Sequence, residues 1–112
     1  MIAMVLSEPS SRPSEIMAIA REVAGIVRRV TGDPAYRVFL FGSWATGRAR
    51  ERADVDIAIA GPSPVPPAMM FEIREASEAL PTLFTVDLVD LAAAAPSFRE
   101  GLALRPVETG DA

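Results

Sequence analysis

Two aspartates separated by a single residue are the feature of this 112-residue sequence with the clearest chemical meaning. Asp54 and Asp56 open an apolar segment, and alternation along a β-strand puts both on one face, roughly 6.6–6.8 Å apart along the backbone. Val55, Ile57 and Ile59 then fall on the other face, which can pack into a core. Two carboxylates at this spacing repel each other unless a cation lies between them. The pair therefore predicts a metal-ion site at the start of a strand.

A Gly-Ser pair, separated from Asp54 by ten residues, adds an element that suits an anion. Gly42 permits a tight turn and close backbone approach, and Ser43 can donate a hydrogen bond to a β- or γ-phosphate, helped by the N-terminus of a following helix. Gly47 is expected to support the same turn. The alternative for Ser43 is an ordinary helix N-cap after a strand. Taken with the carboxylates, the turn indicates a metal-dependent site for a nucleoside triphosphate.

Three arginines, Arg48, Arg50 and Arg52, lie between this turn and the aspartates. We expect only one of them, Arg48, to reach the triphosphate, where its guanidinium would pair with phosphate oxygens. A solvated loop is the alternative explanation for such a run of charges.

A third carboxylate is expected from an apolar segment at residues 83–89. Asp87 and Asp90 are its candidates, and they lie on opposite faces because they are an odd number of residues apart. Asp87 is predicted to lie in mid-strand, where an unpaired carboxylate is costly. Asp90 stands at the strand end, where a helix cap or solvent explains it. Asp87 is therefore the better candidate for the third ligand.

Composition excludes several other chemistries. The sequence has no cysteine and no histidine, so acid–base chemistry falls to carboxylates. The 11 basic residues are all arginine, and the net charge of −4 argues against a broad nucleic-acid-binding surface. No apolar run reaches the roughly 18 residues that cross a bilayer. The N-terminus does not resemble a signal peptide, and we expect a cytoplasmic protein without a membrane segment.

The hydrophobic pattern predicts one domain of the α/β class, a small sheet with helices packed on it. We divide the sequence into a flexible N-terminal arm at residues 1–12, a domain at 13–105 and a C-terminal tail at 106–112. Helices are predicted at 13–30, directly after Gly42-Ser43, at 68–80 and at 96–104, and strands at 36–41, 54–60 and 83–89. A proline-rich loop is predicted at 61–67.

The order Gly-Ser, ten residues, Asp-x-Asp and a later strand with a third carboxylate resembles the DNA polymerase β-like nucleotidyltransferase superfamily. The short length is similar to its minimal nucleotidyltransferases, which are often the antitoxin partners of HEPN-domain toxins. The likeness covers about residues 14–105 and implies a mixed sheet of α+β type. It further implies that Asp54, Asp56 and Asp87 are catalytic and hold Mg²⁺ or Mn²⁺. ATP as donor and a tyrosine hydroxyl of a HEPN toxin as AMP acceptor come from the resemblance alone.

Two positions depart from the family pattern. Trp44 stands where relatives often carry arginine, and Ala53 stands where a serine commonly precedes the first aspartate. Trp44 could weaken phosphate binding, stack on a base or partner side chain, or belong to the core.

Two alternatives to transfer onto a toxin stay open. One is a catalytically weak or inactive binding module that neutralises its partner by direct complex formation. The other is a small-molecule transferase that lacks a separately encoded acceptor subunit. The large apolar fraction for so short a chain is compatible with a homo- or hetero-oligomer.

Overall fold

The structure, a computed structural model, describes residues 11–50 and 53–107. The remaining residues, at both ends and at 51–52, are outside the described part, and with them most of the predicted arm and tail. The elements along the chain are α1 (Ser11–Thr31), β1 (Arg37–Phe41), α2 (Gly42–Thr46), β2 (Val55–Ala60), α3 (Pro67–Glu78), β3 (Val86–Asp90), a 3₁₀ turn (Leu91–Ala93), α4 (Pro96–Glu100) and β4 (Arg105–Val107).

The four strands form one mixed sheet in the order β3-β2-β1-β4. Strand β1 pairs antiparallel with both β2 and β4, whereas β2 and β3 are parallel. Parallel neighbours need a crossover connection, which α3 supplies here. A small mixed sheet with helices packed on it confirms the predicted fold class.

Helices α1 and α3 pack on one face of the sheet and form the main core with it. Apolar residues at helical spacing on α1 meet the inward-facing residues of β2, of which Val55, Ile57 and Ile59 are fully buried. The opposite face carries a smaller cluster of Phe41, Ala58 and Leu91, against which Leu102 packs from the segment after α4. That second face is also the one to which Asp56 belongs, because it alternates with Ile57 along β2.

Strand β3 begins three residues later than predicted. Leu83 is 93% exposed, and the backbone N–H of Phe84 donates to the hydroxyl of Thr82, so this segment turns before it joins the sheet. The predicted strand start at residue 83 was therefore wrong.

Both ends of the domain also differ from the predicted boundaries. Helix α1 already includes Ser11 and Arg12, which were assigned to the arm. Strand β4 includes Pro106 and Val107, which were assigned to the tail. Proline is tolerated there because, among the described residues, β4 is an edge strand with β1 as its one neighbour. The last helix ends at Glu100 rather than at residue 104. No helix within the described ranges is long and apolar enough to cross a membrane.

Candidate active site

The three aspartates predicted from the sequence lie near one another at the face of the sheet opposite α1 and α3. Asp56 and Asp87 are paired Cα neighbours in the parallel register of β2 and β3, so their side chains leave the same face. Asp54 lies two residues before Asp56, directly ahead of β2, and is close enough for its charge to act on the Asp56 carboxyl. Asp56 is half-buried, whereas Asp54 and Asp87 are exposed. Two neighbouring strands thus present three carboxylates to one region of solvent.

The electrostatics of Asp56 reflect this convergence. Burial raises the pKa of its carboxyl above the ordinary value of 3.8, and the negative charges of Asp87 and then Asp54 raise the pKa further. All three causes disfavour the ionised form. A bound cation would reverse this balance, because it favours ionised carboxylates.

The glycine of the Gly-Ser turn packs directly against this carboxylate. Gly42 follows Phe41, the residue that lies across from Asp56 in the antiparallel β1–β2 register. Its φ is +75°, in the left-handed region, and a Cβ atom there would collide with Oδ2 of Asp56. Conformation and close packing both require glycine at this position.

Ser43 is the second residue of α2, next to Gly42, and is half-buried. Its carbonyl oxygen accepts hydrogen bonds from the backbone N–H groups of Gly47 and Arg48, which close the short helix. Gly47 ends the helix in the left-handed conformation, with φ of 78°, which confirms its expected support of the turn. The turn is therefore held by its own backbone beside Asp56.

Arg48 follows α2 with an exposed side chain. Among the described residues it forms no ion pair with the three aspartates, so the structure does not bring this guanidinium into the acidic cluster. Arg50 is also exposed, and Arg52 lies outside the described residues.

Asp90 lies on the opposite face of the sheet from Asp87, and its carboxylate accepts two backbone hydrogen bonds there. Its Oδ1 accepts from the N–H of Ala92 at 3.1 Å and caps the 3₁₀ turn, and its Oδ2 accepts from the N–H of Val65 at 2.7 Å. The prediction that Asp90 is a cap is confirmed. The argument that Asp87 lies in mid-strand was wrong, since Asp87 is the exposed second residue of β3. The prediction that the two side chains lie on opposite faces holds.

Trp44 connects three segments that carry the site, a role that the sequence left open. Its indole Nε1 donates to the carbonyl of Ala53 at 2.9 Å, one residue before Asp54. Its ring packs edge-to-face on Phe84, which leads into β3, with centroids 5.9 Å apart. Trp44 is half-buried and packs against the main core. Of the three alternatives, membership of the core is the one that agrees with these contacts.

The donor set agrees with a hard divalent cation, because Asp54, Asp56 and Asp87 offer only carboxylate oxygens. The negative charges of Asp87 and Asp54, which together with burial raise the pKa of Asp56, are charges that a bound cation would offset. Within residues 11–50 and 53–107, however, no three Asp, Glu, Cys or His side chains are already arranged to hold a metal ion. The carboxylates are neighbours without forming a closed cage, as expected for like charges at an exposed surface.

A family model described as Polymerase beta, Nucleotidyltransferase matches residues 33–104, more than half of the chain. The matched region contains the Gly-Ser turn and all three aspartates. This chain therefore belongs to the polymerase β nucleotidyltransferase family.

One curated relative is a probable protein adenylyltransferase, MntA, from Haemophilus influenzae. It is 34% identical over 67 residues, which cover 60% of this chain and 59% of the relative. The chain thus spans about three fifths of the length of this relative.

Two solved structures share the fold. A chain from the complex of tri-AMPylated Shewanella oneidensis HEPN toxin with MNT antitoxin superposes with a TM-score of 0.59 at 21% identity, covering 83% of this chain and 71% of that chain. A chain from a toxin–antitoxin crystal structure with AMP-PNP gives a TM-score of 0.54 at 23% identity, covering 81% of this chain and 76% of that chain.

Proposed function

We propose that this chain is a divalent-metal-dependent nucleotidyltransferase that transfers AMP from ATP to a tyrosine hydroxyl of a HEPN-domain toxin and so acts as its antitoxin. The observation that carries the proposal is the pairing of Asp56 with Asp87 on one face, with Asp54 and the Gly42 turn beside them. Family membership supports nucleotidyl transfer as the reaction class.

In this proposal Asp54, Asp56 and Asp87 hold Mg²⁺ or Mn²⁺, which supplies charge neutralisation at the triphosphate when bound. Asp87, which is exposed as Asp54 is, also accepts the proton of the attacking hydroxyl. The hydroxyl oxygen then forms a bond to the α-phosphorus as the bond to pyrophosphate breaks. Pyrophosphate leaves, and AMP remains on the acceptor oxygen.

The turn would orient the leaving group. The hydroxyl of Ser43 and the N–H groups around Gly42 are donors for β- and γ-phosphate oxygens. Arg48, solvent-exposed just after α2, is assigned to pair with the outer phosphates. It forms no ion pair with the three aspartates among the described residues, so the guanidinium would be available to the nucleotide.

The relatives support the donor and the acceptor. The Haemophilus relative is named a probable protein adenylyltransferase, and the two solved complexes contain an AMPylated HEPN toxin and AMP-PNP respectively. A cytoplasmic location belongs to the same proposal, since the reaction consumes ATP.

The test is transfer of radiolabel. The chain is incubated with α-labelled ATP, Mg²⁺ and the protein encoded by the neighbouring open reading frame, and label is expected on a tyrosine of that protein. The chain's single tyrosine, Tyr36, precedes β1 by one residue and lies five residues from Phe41, about 17 Å along the strand. Labelled tyrosine in the reaction is therefore attributed to the partner. Absence of label with all four nucleotides would contradict the proposal.

The double variant Asp54→Ala/Asp56→Ala separates transfer from simple binding. We expect it to lose labelling and to leave the partner toxic. If it neutralises the partner as fully as the native chain, complex formation alone is sufficient and transfer is dispensable.

A further inference from the structure

The carboxylate face of the sheet carries an exposed aromatic ring that the proposed reaction does not use. Phe98 lies on α4 and is 41% exposed. Its ring packs edge-to-face on Phe41, with centroids 6.1 Å apart and an interplanar angle of 89°. Phe41 belongs to the small cluster on the carboxylate face, so Phe98 stands on that face as well.

Phe41 connects this ring to the site. It is the direct cross-strand neighbour of Asp56, and paired residues of antiparallel strands project from the same face. It also precedes Gly42, the glycine that packs against the Asp56 carboxylate. One side chain therefore separates Phe98 from both the turn and the acidic cluster.

The contact with Phe41 leaves flat aromatic surface uncovered. In an edge-to-face pair, one ring presents its edge and the other presents one face, so Phe98 keeps at least one face outside the contact. The exposure of 41% agrees with a ring face turned to solvent. An uncovered aromatic face beside charged groups suits a ligand with a charged end and a flat aromatic end.

We propose that Phe98 is a stacking platform for the base of the nucleotide substrate. The inference rests on the proposed function and deepens it, because it assigns a residue to the base while the turn and the carboxylates serve the phosphates. Aromatic side chains stack on any base through its π-face, and the larger ring system of a purine gives the larger contact. The platform therefore increases the affinity for nucleoside triphosphates but not for inorganic polyphosphate, which has no base to stack on the ring.

Binding of ATP and of inorganic tripolyphosphate to the purified 112-residue chain, each with Mn²⁺, tests the platform. Phe98→Ala is expected to weaken ATP binding about 5- to 150-fold, the range for loss of one stacked base, and tripolyphosphate binding by less than about twofold. Phe98→Leu keeps an apolar contact with Phe41 but has no aromatic face, and should weaken ATP binding as well. Phe98→Trp should retain it.

Phe71 provides the matched control. It is also an exposed phenylalanine, at 63%, but it lies on α3, which packs on the opposite face of the sheet. Phe71→Ala should change neither affinity.

The outcomes are distinguishable. Selective loss of ATP affinity in Phe98→Ala and Phe98→Leu supports the platform. Unchanged ATP affinity in both variants, equal loss for ATP and tripolyphosphate, or an equal loss in Phe71→Ala overturns it while the proposed transfer stands. A native chain that binds neither probe overturns the proposed function, and the platform falls with it.

Discussion

Asp56 and Asp87 are side-by-side partners in the parallel register of β2 and β3, and Phe41 of β1 faces Asp56 from the other side. Three strands therefore set the position of one carboxylate. A site built on paired strands is held more rigidly than one built on loops, because ladder hydrogen bonds restrict each backbone.

The two aspartates of β3 should have separate effects. Asp87→Asn is expected to lower the rate of AMP transfer about 100- to 10,000-fold, the usual contribution of a general base. Asp90→Asn keeps an acceptor oxygen for only one of its two partners, Ala92 and Val65, so it should lower stability but leave the transfer rate of the folded chain near the native value. Rates of label transfer to the partner measure both. Similar losses in the two variants would show that the face on which each residue lies does not decide its role.

Replacing the turn glycine should disturb the site beyond its conformational cost. Gly42→Ala and Gly47→Ala both force alanine to a positive φ, +75° and +78°, at about 1–2 kcal/mol each. A Cβ atom would also collide with Asp56 at residue 42, whereas it meets nothing within 4 Å at residue 47. In urea unfolding, Gly42→Ala should be destabilised at least as much as Gly47→Ala. In the transfer assay, Gly42→Ala should lose much more of the rate than Gly47→Ala. Equal rates in the two variants would contradict this contact.

Trp44 should influence transfer through the position of Asp54. Trp44→Phe keeps an aromatic ring near Phe84 but removes the hydrogen bond to the Ala53 carbonyl, at about 0.5–1.5 kcal/mol of stability. We expect kcat to fall more than KM rises, because the hydrogen bond that fixes Ala53, and with it the position of the neighbouring Asp54, is lost.

Tyr36→Phe is the matched control for that variant. It removes a hydroxyl that contacts Ser63 and Pro64 at the far end of β1, so it should change stability without changing kcat. If Tyr36→Phe lowers kcat as much as Trp44→Phe, general destabilisation explains both results.

Asp56 should make stability depend on pH. Its pKa is raised in the folded chain by burial, then by Asp87 and by Asp54, so the folded chain holds the proton more tightly than the unfolded chain. The free energy of unfolding therefore falls as pH rises from the unfolded pKa through the higher folded pKa. Asp56→Asn should be more stable than the native chain at neutral pH, and the advantage should shrink as pH falls through the raised folded pKa toward 3.8.

Urea denaturation across about pH 3 to 7 measures this difference. Because Asp87 raises the pKa of Asp56 more than Asp54 does, Asp87→Asn should stabilise the chain more than Asp54→Asn at neutral pH. The reverse order, or a native chain that is the more stable at neutral pH, would contradict the electrostatic account.

Local patterns in the sequence were sufficient for the main elements and for the faces of the aspartates. Period-2 alternation placed Asp54 with Asp56 and separated Asp87 from Asp90, and the structure agrees with both. Strand order and direction could not be obtained in this way, since pairing depends on residues far apart in the chain. The mixed sheet was expected from family resemblance.

The misses have specific physical causes. Strand β4 is three residues long and contains Pro106, so no local pattern identifies it, and it exists because β1 offers an edge. Strand β3 was started too early because Leu83 extends the apolar segment in the sequence, although its side chain is exposed. The hydrogen bond between Trp44 and Ala53 joins residues across a loop, which no local pattern predicts. The one signal in the sequence was that a tryptophan stands directly after Gly-Ser, where relatives often carry arginine.

Trp44 is the single tryptophan of the sequence. Its indole touches the segments that lead into both carboxylate-bearing strands, so its fluorescence originates from one place, at the edge of the candidate site. Titrating nucleotide or Mn²⁺ while recording emission intensity and wavelength would follow ligand-induced repacking optically, without any attached dye.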